Sequence, residues 1–245
     1  MDFSIYSLAV QNELNNYIWI LKDNRSDEIV VIDPTDAQIV SEHCTKDNLK
    51  VSQIWITHWH KDHIGGVSEL LNHYPNTRVI GSIEEQKKTP MITDWVRQGD
   101  HLEFNGLATD IFLLPGHTLG HIIYSVPTLD AVFSGDMIFI MGCGRVFEGT
   151  YEQMYSSLSK IKSFPLDTVF YSAHDFSVDN IRFVESLELN NSKINQRIEL
   201  LKNNTLNAIP NVSMQLGEEI NTNPFLLAKN IDEFIKFRTL KDYFK

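Results

Sequence analysis

Thr57-His58-Trp59-His60-Lys61-Asp62-His63-Ile64-Gly65-Gly66 decides how this chain is read. Four side chains able to hold a metal, His58, His60, Asp62 and His63, fall within six consecutive positions. The apolar run before them, with Ile54, Trp55 and Ile56, predicts a buried strand over 51–57. The paired glycines predict a tight turn, and a helix is expected over 67–73. The ligand types therefore sit on a loop at the C-terminal end of a strand, where α/β sheets place their sites. His58 and His60 are two apart and face the same way from extended backbone. Asp62 and His63, being adjacent, are expected to diverge, which suits two ions side by side better than one. A single histidine is ordinarily structural or solvated; four ligand types in this order read as a metal site.

Toward the N-terminus, the apolar runs 17–21 and 28–32, separated by polar residues 22–27, predict a hairpin. The second run ends in Asp33-Pro34, where Asp33 either starts a turn or points inward to orient a ligand histidine. A short helix is expected over 37–44. Toward the C-terminus, strands are expected over 78–81 and 109–114, the latter running into Pro115-Gly116-His117-Thr118-Leu119-Gly120-His121. The His117/His121 spacing would suit a helix, but two glycines and a proline oppose one. His117 is accordingly the ligand candidate and His121 the residue that holds the loop through hydrogen bonds. Strands over 122–126 and 130–134 follow, and the second ends in Gly135-Asp136, a third strand end bearing a ligand. Residues 143–150 read as a loop. Over 151–164, Met154, Leu158 and Ile161 recur at helical spacing as a core stripe. A last strand over 168–172 ends in Ala173-His174-Asp175. Beyond His174 the alternating pattern stops, and helices are expected over 180–189, 193–206 and 231–237. The chain thus divides into residues 1–173, carrying the ligands, and a helical domain over 174–245.

The 245 residues carry a formal net charge of -11 and are 42% apolar, ordinary for a globular chain. Residues 1–192 hold 13 Lys/Arg against 26 Asp/Glu, a balance of -13, and residues 193–245 hold 8 against 6, a balance of +2. An acidic surface argues against nucleic acid as partner. No apolar stretch approaches the length of a membrane span, and the start lacks the basic region of a secretory signal. Cys44 and Cys143 form no close pair, so neither a disulfide framework nor a cysteine zinc site is expected, and a reducing cytosol is the default. Nothing calls for an obligate protein partner.

The motif His58-x-His60-x-Asp62-His63, with His117, Asp136 and His174 downstream, resembles the metallo-β-lactamase superfamily. Within it, the segment 115–121, Gly144-Arg145 to Thr150, Asn223-Pro224-Phe225 and Phe237-Arg238 to Phe244 resemble the glyoxalase II, or hydroxyacylglutathione hydrolase, family. The resemblance implies an α+β fold, an αββα sandwich followed by a small all-helical C-terminal domain that contributes to substrate binding. It implies two divalent ions, zinc, iron or manganese, since imidazoles and carboxylates suit all three. By that resemblance His58, His60 and His117 hold the first ion, Asp62, His63 and His174 the second, and Asp136 bridges them. Asp62 and Asp136 then serve catalysis, and the implied nucleophile is hydroxide generated by the ions. The substrate class is a glutathione thioester. Arg145 stands where the family has a basic glutathione contact. Phe147 and Phe176 stand where tyrosines are common, and Leu227 where a cation is common, with Lys229 two residues on. Rival readings are a redox protein on the same scaffold, such as a persulfide dioxygenase, and a hydrolase of another thioester. A diiron flavoprotein partner would carry Glu at His60.

Overall fold

Along β3 (Glu28–Ile32), Ile29 and Val31 face one way, Val30 and Ile32 the other, and all four are buried. A strand buried on both faces needs cover on both. The computed structural model, which describes residues 2–189 and 191–244, shows what supplies it. One sheet holds β1 (Phe3–Ala9), β2 (Tyr17–Asp23), β3, β4 (Lys50–Trp55), β5 (Arg78–Ser82) and β6 (Asp94–Val96) in chain order. Its first three strands are antiparallel, and β3 to β6 are parallel. Helices α1 (Ala37–Asp47), α2 (Lys61–Ile64) and α3 (Val67–His73) follow β3 and β4. Val40 and Cys44 of α1 and Val67 and Leu70 of α3 pack with Ile29, Val31 and Ile54 on the outer face.

The second sheet contains β7 (His101–Phe104), β8 (Leu107–Leu113), β9 (Ile122–Val126) and β10 (Ala131–Gly135). After the two-stranded hairpin of β11 (Ile138–Phe139) and β12 (Gly142–Cys143), β13 (Val169–Ser172) and β14 (Ser213–Gln215) complete it. The order is β14-β13-β10-β9-β8-β7, with β10 and β13 parallel and the other pairs antiparallel. The two sheets meet through Val30, Ile32, Trp55, Ile111, Tyr124 and Phe133. The Trp55 and Tyr124 rings stack at 4.9 Å, and the buried Tyr124 hydroxyl donates across the sheets to the Ile56 carbonyl at 2.8 Å. Helices α4 (Tyr151–Ile161), α5 (Ser177–Ser186), α6 (Ser192–Leu206), α7 (Leu216–Thr222), α8 (Pro224–Leu227) and α9 (Ile231–Tyr243) share the remaining core. Leu158, Phe183, Leu201 and Phe234 pack there with Val132 and Phe170 of the second sheet. The layers are therefore helix, sheet, sheet, helix, followed by further helices.

Several expectations are corrected. Gly65 and Gly66 do form the expected turn, between α2 and α3, but in right-handed conformation at φ -57° and -84° rather than one that only glycine adopts. Their value is close approach: a Cβ on Gly66 would stand 2.7 Å from the Ala37 nitrogen and 2.8 Å from the Pro34 carbonyl oxygen. Strand structure does not stop at His174, because β14 adds an edge to the second sheet beside β13. The strands β1, β6 and β7 escape a reading by apolar runs, since β1 is only half-buried along its seven residues and β6 and β7 have three and four. Helix α5 starts three residues earlier and ends three earlier than the expected 180–189. Helix α9 runs six residues past 237. Helix α1 extends to Asp47, where Asn48 ends it in left-handed conformation at φ 52°, a role asparagine fills readily.

Candidate metal centre

His58 and His60 follow the end of β4, Asp62 and His63 lie in α2, His117 follows β8, Asp136 follows β10 and His174 follows β13. The folding of the two sheets against each other brings all seven to one edge. The atoms His58 Nε2 and His117 Nε2 each lie 3.0 Å from His60 Nδ1. His63 Nε2 and His174 Nε2 lie 3.3 and 3.4 Å from Asp62 Oδ2. Asp136 stands between the groups: Oδ2 is 3.3 Å from His117 Nε2, while Oδ1 is 3.1 Å from His174 Nε2 and 3.4 Å from His63 Nε2. Asp62 and His63, expected to diverge, converge instead, because Lys61–Ile64 is a turn of helix rather than extended chain.

The outward nitrogens decide what the inward ones offer. His117 Nδ1 lies 2.8 Å from the Arg145 carbonyl and His174 Nδ1 2.8 Å from the Leu14 carbonyl. A carbonyl only accepts, so both Nδ1 atoms carry the proton and both Nε2 lone pairs face the centre. The Thr57 hydroxyl donates to Asp33 Oδ2 at 2.6 Å, which leaves its oxygen to accept from His58 Nδ1 at 3.0 Å. Asp33 also accepts from the Thr57 amide at 2.8 Å and lies 2.9 Å from His63 Nδ1. It does so at φ 51°, a left-handed conformation that aspartate tolerates.

Burial penalises charge on this cluster. His58 and His121 are held well below the ordinary imidazole value by burial and by neighbouring imidazoles, and burial with His117 brings His60 down to about 4. For His63, burial is outweighed by the carboxylates of Asp136 and Asp33, which push it well above the usual range. The same balance holds Asp136 well below the carboxylate range, with His174 and His63 opposing its burial. His63 Nε2 and Asp136 Oδ1 are buried without a hydrogen-bond partner among the described residues. Buried polar atoms are rarely left so. Lone pairs from four imidazole Nε2 atoms, one Nδ1 and two carboxylates, gathered in groups of three within 4.8 Å, fit divalent cations and little else.

The centre opens into a cavity of about 680 Å³. Phe139, Phe147 and Phe176 line it with Trp59, Lys61 and Arg145. Phe176 stacks on the His174 ring at 4.7 Å, and Phe147 meets the His60 and His117 rings edge-on at 5.5 and 5.3 Å. Arg145 is largely exposed at the rim, its Nε 3.7 Å from Asp242 of α9. Lys229 is exposed and does not line the cavity; its backbone amide donates to Glu233. His121 is fully buried, stacks on His58 at 4.9 Å and accepts the Asp136 amide at 3.2 Å.

Other residues support the arrangement in roles that the sequence does not signal. Asn16 donates to Asp62 Oδ2 at 3.2 Å, and Thr35 donates to the Asp62 carbonyl at 2.6 Å. Glu148 accepts from Trp59 Nε1 and from the Leu119 amide, tying the His60 and His117 loops together. Gly144 passes so near Asp136 that a Cβ there would lie 2.0 Å from its carbonyl oxygen.

Two facing sheets flanked by helices, with seven His and Asp ligand candidates at one edge, define a metallo-β-lactamase scaffold. The sequence model of the metallo-beta-lactamase superfamily matches residues 12–174, and that of the hydroxyacylglutathione hydrolase C-terminus matches 175–244. Curated hydroxyacylglutathione hydrolases are similar over nearly the whole chain. The one from Prochlorococcus marinus is 39% identical, covering 98% of this chain and 96% of its own, and that of Aeromonas hydrophila is 37% identical, covering 94% and 88%. Among solved structures, ETHE1 from Myxococcus xanthus superposes with a TM-score of 0.73 at 24% identity, over 98% of this chain and 96% of that one, a likeness of fold. The chain belongs to the hydroxyacylglutathione hydrolase family of the metallo-β-lactamase superfamily.

Proposed function

We propose that this chain hydrolyses 2-hydroxyacyl thioesters of glutathione, S-D-lactoylglutathione foremost, releasing the hydroxy acid and the free thiol. The observation that carries the reading is the pair of three-donor groups with the Asp136 carboxylate between them. His58, His60 and His117 would hold one divalent ion, Asp62, His63 and His174 the other, with Asp136 touching both; zinc, iron and manganese all suit these donors. Such a pair supplies a water acidified toward neutrality and polarises the carbonyl it attacks. The chain need not provide a nucleophile of its own. The Cys143 thiol is buried and pushed up to about 11, so it stays protonated, and no acyl-enzyme is expected to accumulate.

Asp33 and the Leu14 and Arg145 carbonyls fix the ring orientations of His63, His174 and His117. Phe147 and Phe176 shield the imidazoles they pack against from solvent. A glutathione thioester is anionic and meets an acidic protein, so cations at the rim must capture it; Arg145 and Lys61 line the cavity. Both cysteines are buried and unpaired, which supports a reducing cytosol as the setting.

Purified protein assayed against glutathione thioesters and thioesters lacking the peptide carboxylates tests the substrate class. Equal handling of both kinds would transfer the activity to another carrier, and oxygen uptake with glutathione persulfide would replace hydrolysis by dioxygenation. Elemental analysis should approach two equivalents of metal and fall to about one in His174→Ala; a saturating value of one in the wild type would end the binuclear reading.

Arg145 lies at the rim and acts on binding. Losing one charge-assisted hydrogen bond costs about 1.5–3 kcal/mol, so Arg145→Ala should raise KM roughly ten-fold or more and spare kcat. Phe176→Tyr, which restores a hydroxyl at the cavity wall, should lower KM. If steady-state kinetics leave KM unmoved in both variants, Arg145 and residue 176 make no contact with the carrier.

A further inference from the structure

The hairpin of β11 and β12 leaves Asp136 on one side and delivers Gly144 and Arg145 on the other. Its two strands hold two residues each, and its tip contains Met141 at φ 54°, a left-handed conformation unfavourable for a side chain of that size. A ladder so short does not hold its own shape. The helical segment holds it instead. Glu219 accepts the Met141 amide at 2.8 Å, and Asn180 donates to the Ile140 carbonyl at 3.0 Å. Asn223 donates to the Phe139 and Gly142 carbonyls at 3.2 and 2.9 Å and to Glu219 at 3.0 Å. Arg238 donates to the Cys143 carbonyl at 2.8 Å. All four side chains are at least nine-tenths buried. They come from α5, α7, the residue before α8, and α9, so four separate points along residues 177–243 converge on five backbone groups.

What the hairpin carries gives this grip a consequence. Phe139 lines the cavity and packs edge-on against the His174 and Phe176 rings at 5.9 and 5.1 Å. Arg145, two residues past the hairpin, presents its side chain to the rim and its carbonyl to His117 Nδ1. A shift of the hairpin therefore moves a cavity wall, a rim cation and the group that orients one ligand histidine.

We propose that Glu219 and Asn223, with Asn180 and Arg238, are positioning residues: they clamp the 138–143 hairpin so that the Arg145 carbonyl orients His117 and its side chain meets the substrate. This makes the helical segment part of the metal centre's support as well as a cover for the second sheet. The inference rests on the proposed metal centre and substrate class for its effect on function. The clamp itself stands on the hydrogen bonds alone.

The test compares Asn223→Ala and Glu219→Ala with Glu219→Gln, which keeps an acceptor for the Met141 amide. Val40→Ala, buried in α1 far from the hairpin in the fold, controls for general loss of stability. Four readouts are taken on the metal-loaded full chain: melting temperature, amide hydrogen exchange over 138–145, KM with kcat for the thioester, and metal retained on dialysis against a weak chelator. Asn223→Ala and Glu219→Ala should exchange the hairpin amides at least ten-fold faster, raise KM several-fold and release one metal equivalent well before the second. Glu219→Gln should restore most of each. Val40→Ala should lower the melting temperature without moving the other three. The clamp is overturned if Asn223→Ala and Glu219→Ala behave as Val40→Ala does, or if the hairpin exchanges faster while KM and metal retention stay at wild-type values. Should the wild type hold no metal and cleave no thioester, the proposed function fails, and the hairpin exchange rates then decide the clamp by themselves.

Discussion

Asp136→Ala is expected to lower turnover by roughly three orders of magnitude or more, since groups that act as a unit show losses of that scale when one is removed. The reason lies in its two oxygens. One faces His117 of the first group and the other faces His63 and His174 of the second, at 3.1–3.4 Å. Removing any one histidine weakens one group; removing this carboxylate disturbs both and would take out the anion that offsets the charge of the two proposed cations. The loss should appear in kcat and kcat/KM together, because the reacting centre rather than substrate capture is damaged. Elemental analysis on the same sample should show both equivalents loosened. Turnover within ten-fold of wild type, measured at saturating thioester and with metal supplied, would rule out Asp136 as the shared ligand and with it the two-ion arrangement.

Stripping the metal is expected to abolish hydrolysis and lower the melting temperature together. A ligand present at a thousand times its dissociation constant stabilises the native state by about 4 kcal/mol. For a chain of this length each kcal/mol moves the midpoint by roughly 2–4 °C, so loss of one such ion should cost roughly 8–16 °C. The effect is tied to this site because its buried His63 Nε2 and Asp136 Oδ1 have no hydrogen-bond partner among the described residues. Calorimetry before and after chelation, and again after adding back zinc, iron or manganese one at a time, reads the magnitude and ranks the metals. Retention of full activity after exhaustive chelation would remove the ions from the mechanism.

Much of the centre is legible without a structure because each ligand follows an apolar run, and an apolar run fixes where a strand ends. His58, His117, Asp136 and His174 each stand just past such a run; β8, β10 and β13 run the same way in the second sheet, so their C-terminal ends share one edge, and the first sheet packs the end of β4 beside them. The helices α5, α6 and α9 after His174 are legible for a similar reason, apolar side chains at helical spacing needing a surface to cover, whereas α7 and α8, of seven and four residues, are too short to show that spacing. The strand β14 within them is not, since three residues carry no usable alternation and their place is set by pairing with β13.

Local spacing determined which residue types could bind metal and on which segments they sit. It misjudged how they combine. Asp62 and His63 diverge in extended chain and converge in the helical turn that Lys61–Ile64 adopts once Gly65 and Gly66 let the loop settle against Thr35 and Ala37. Which nitrogen of His63, His58, His174 and His117 points inward is decided by Asp33, Thr57 and the carbonyls of Leu14 and Arg145, and for His174 that partner is 160 residues away in the chain. The placement of Lys229 outside the cavity, and the hold of Glu219 and Asn223 on the hairpin, follow from how the helices pack. Sequence specifies the direction of a side chain relative to its own backbone; only the packed sheets and helices determine what it meets there.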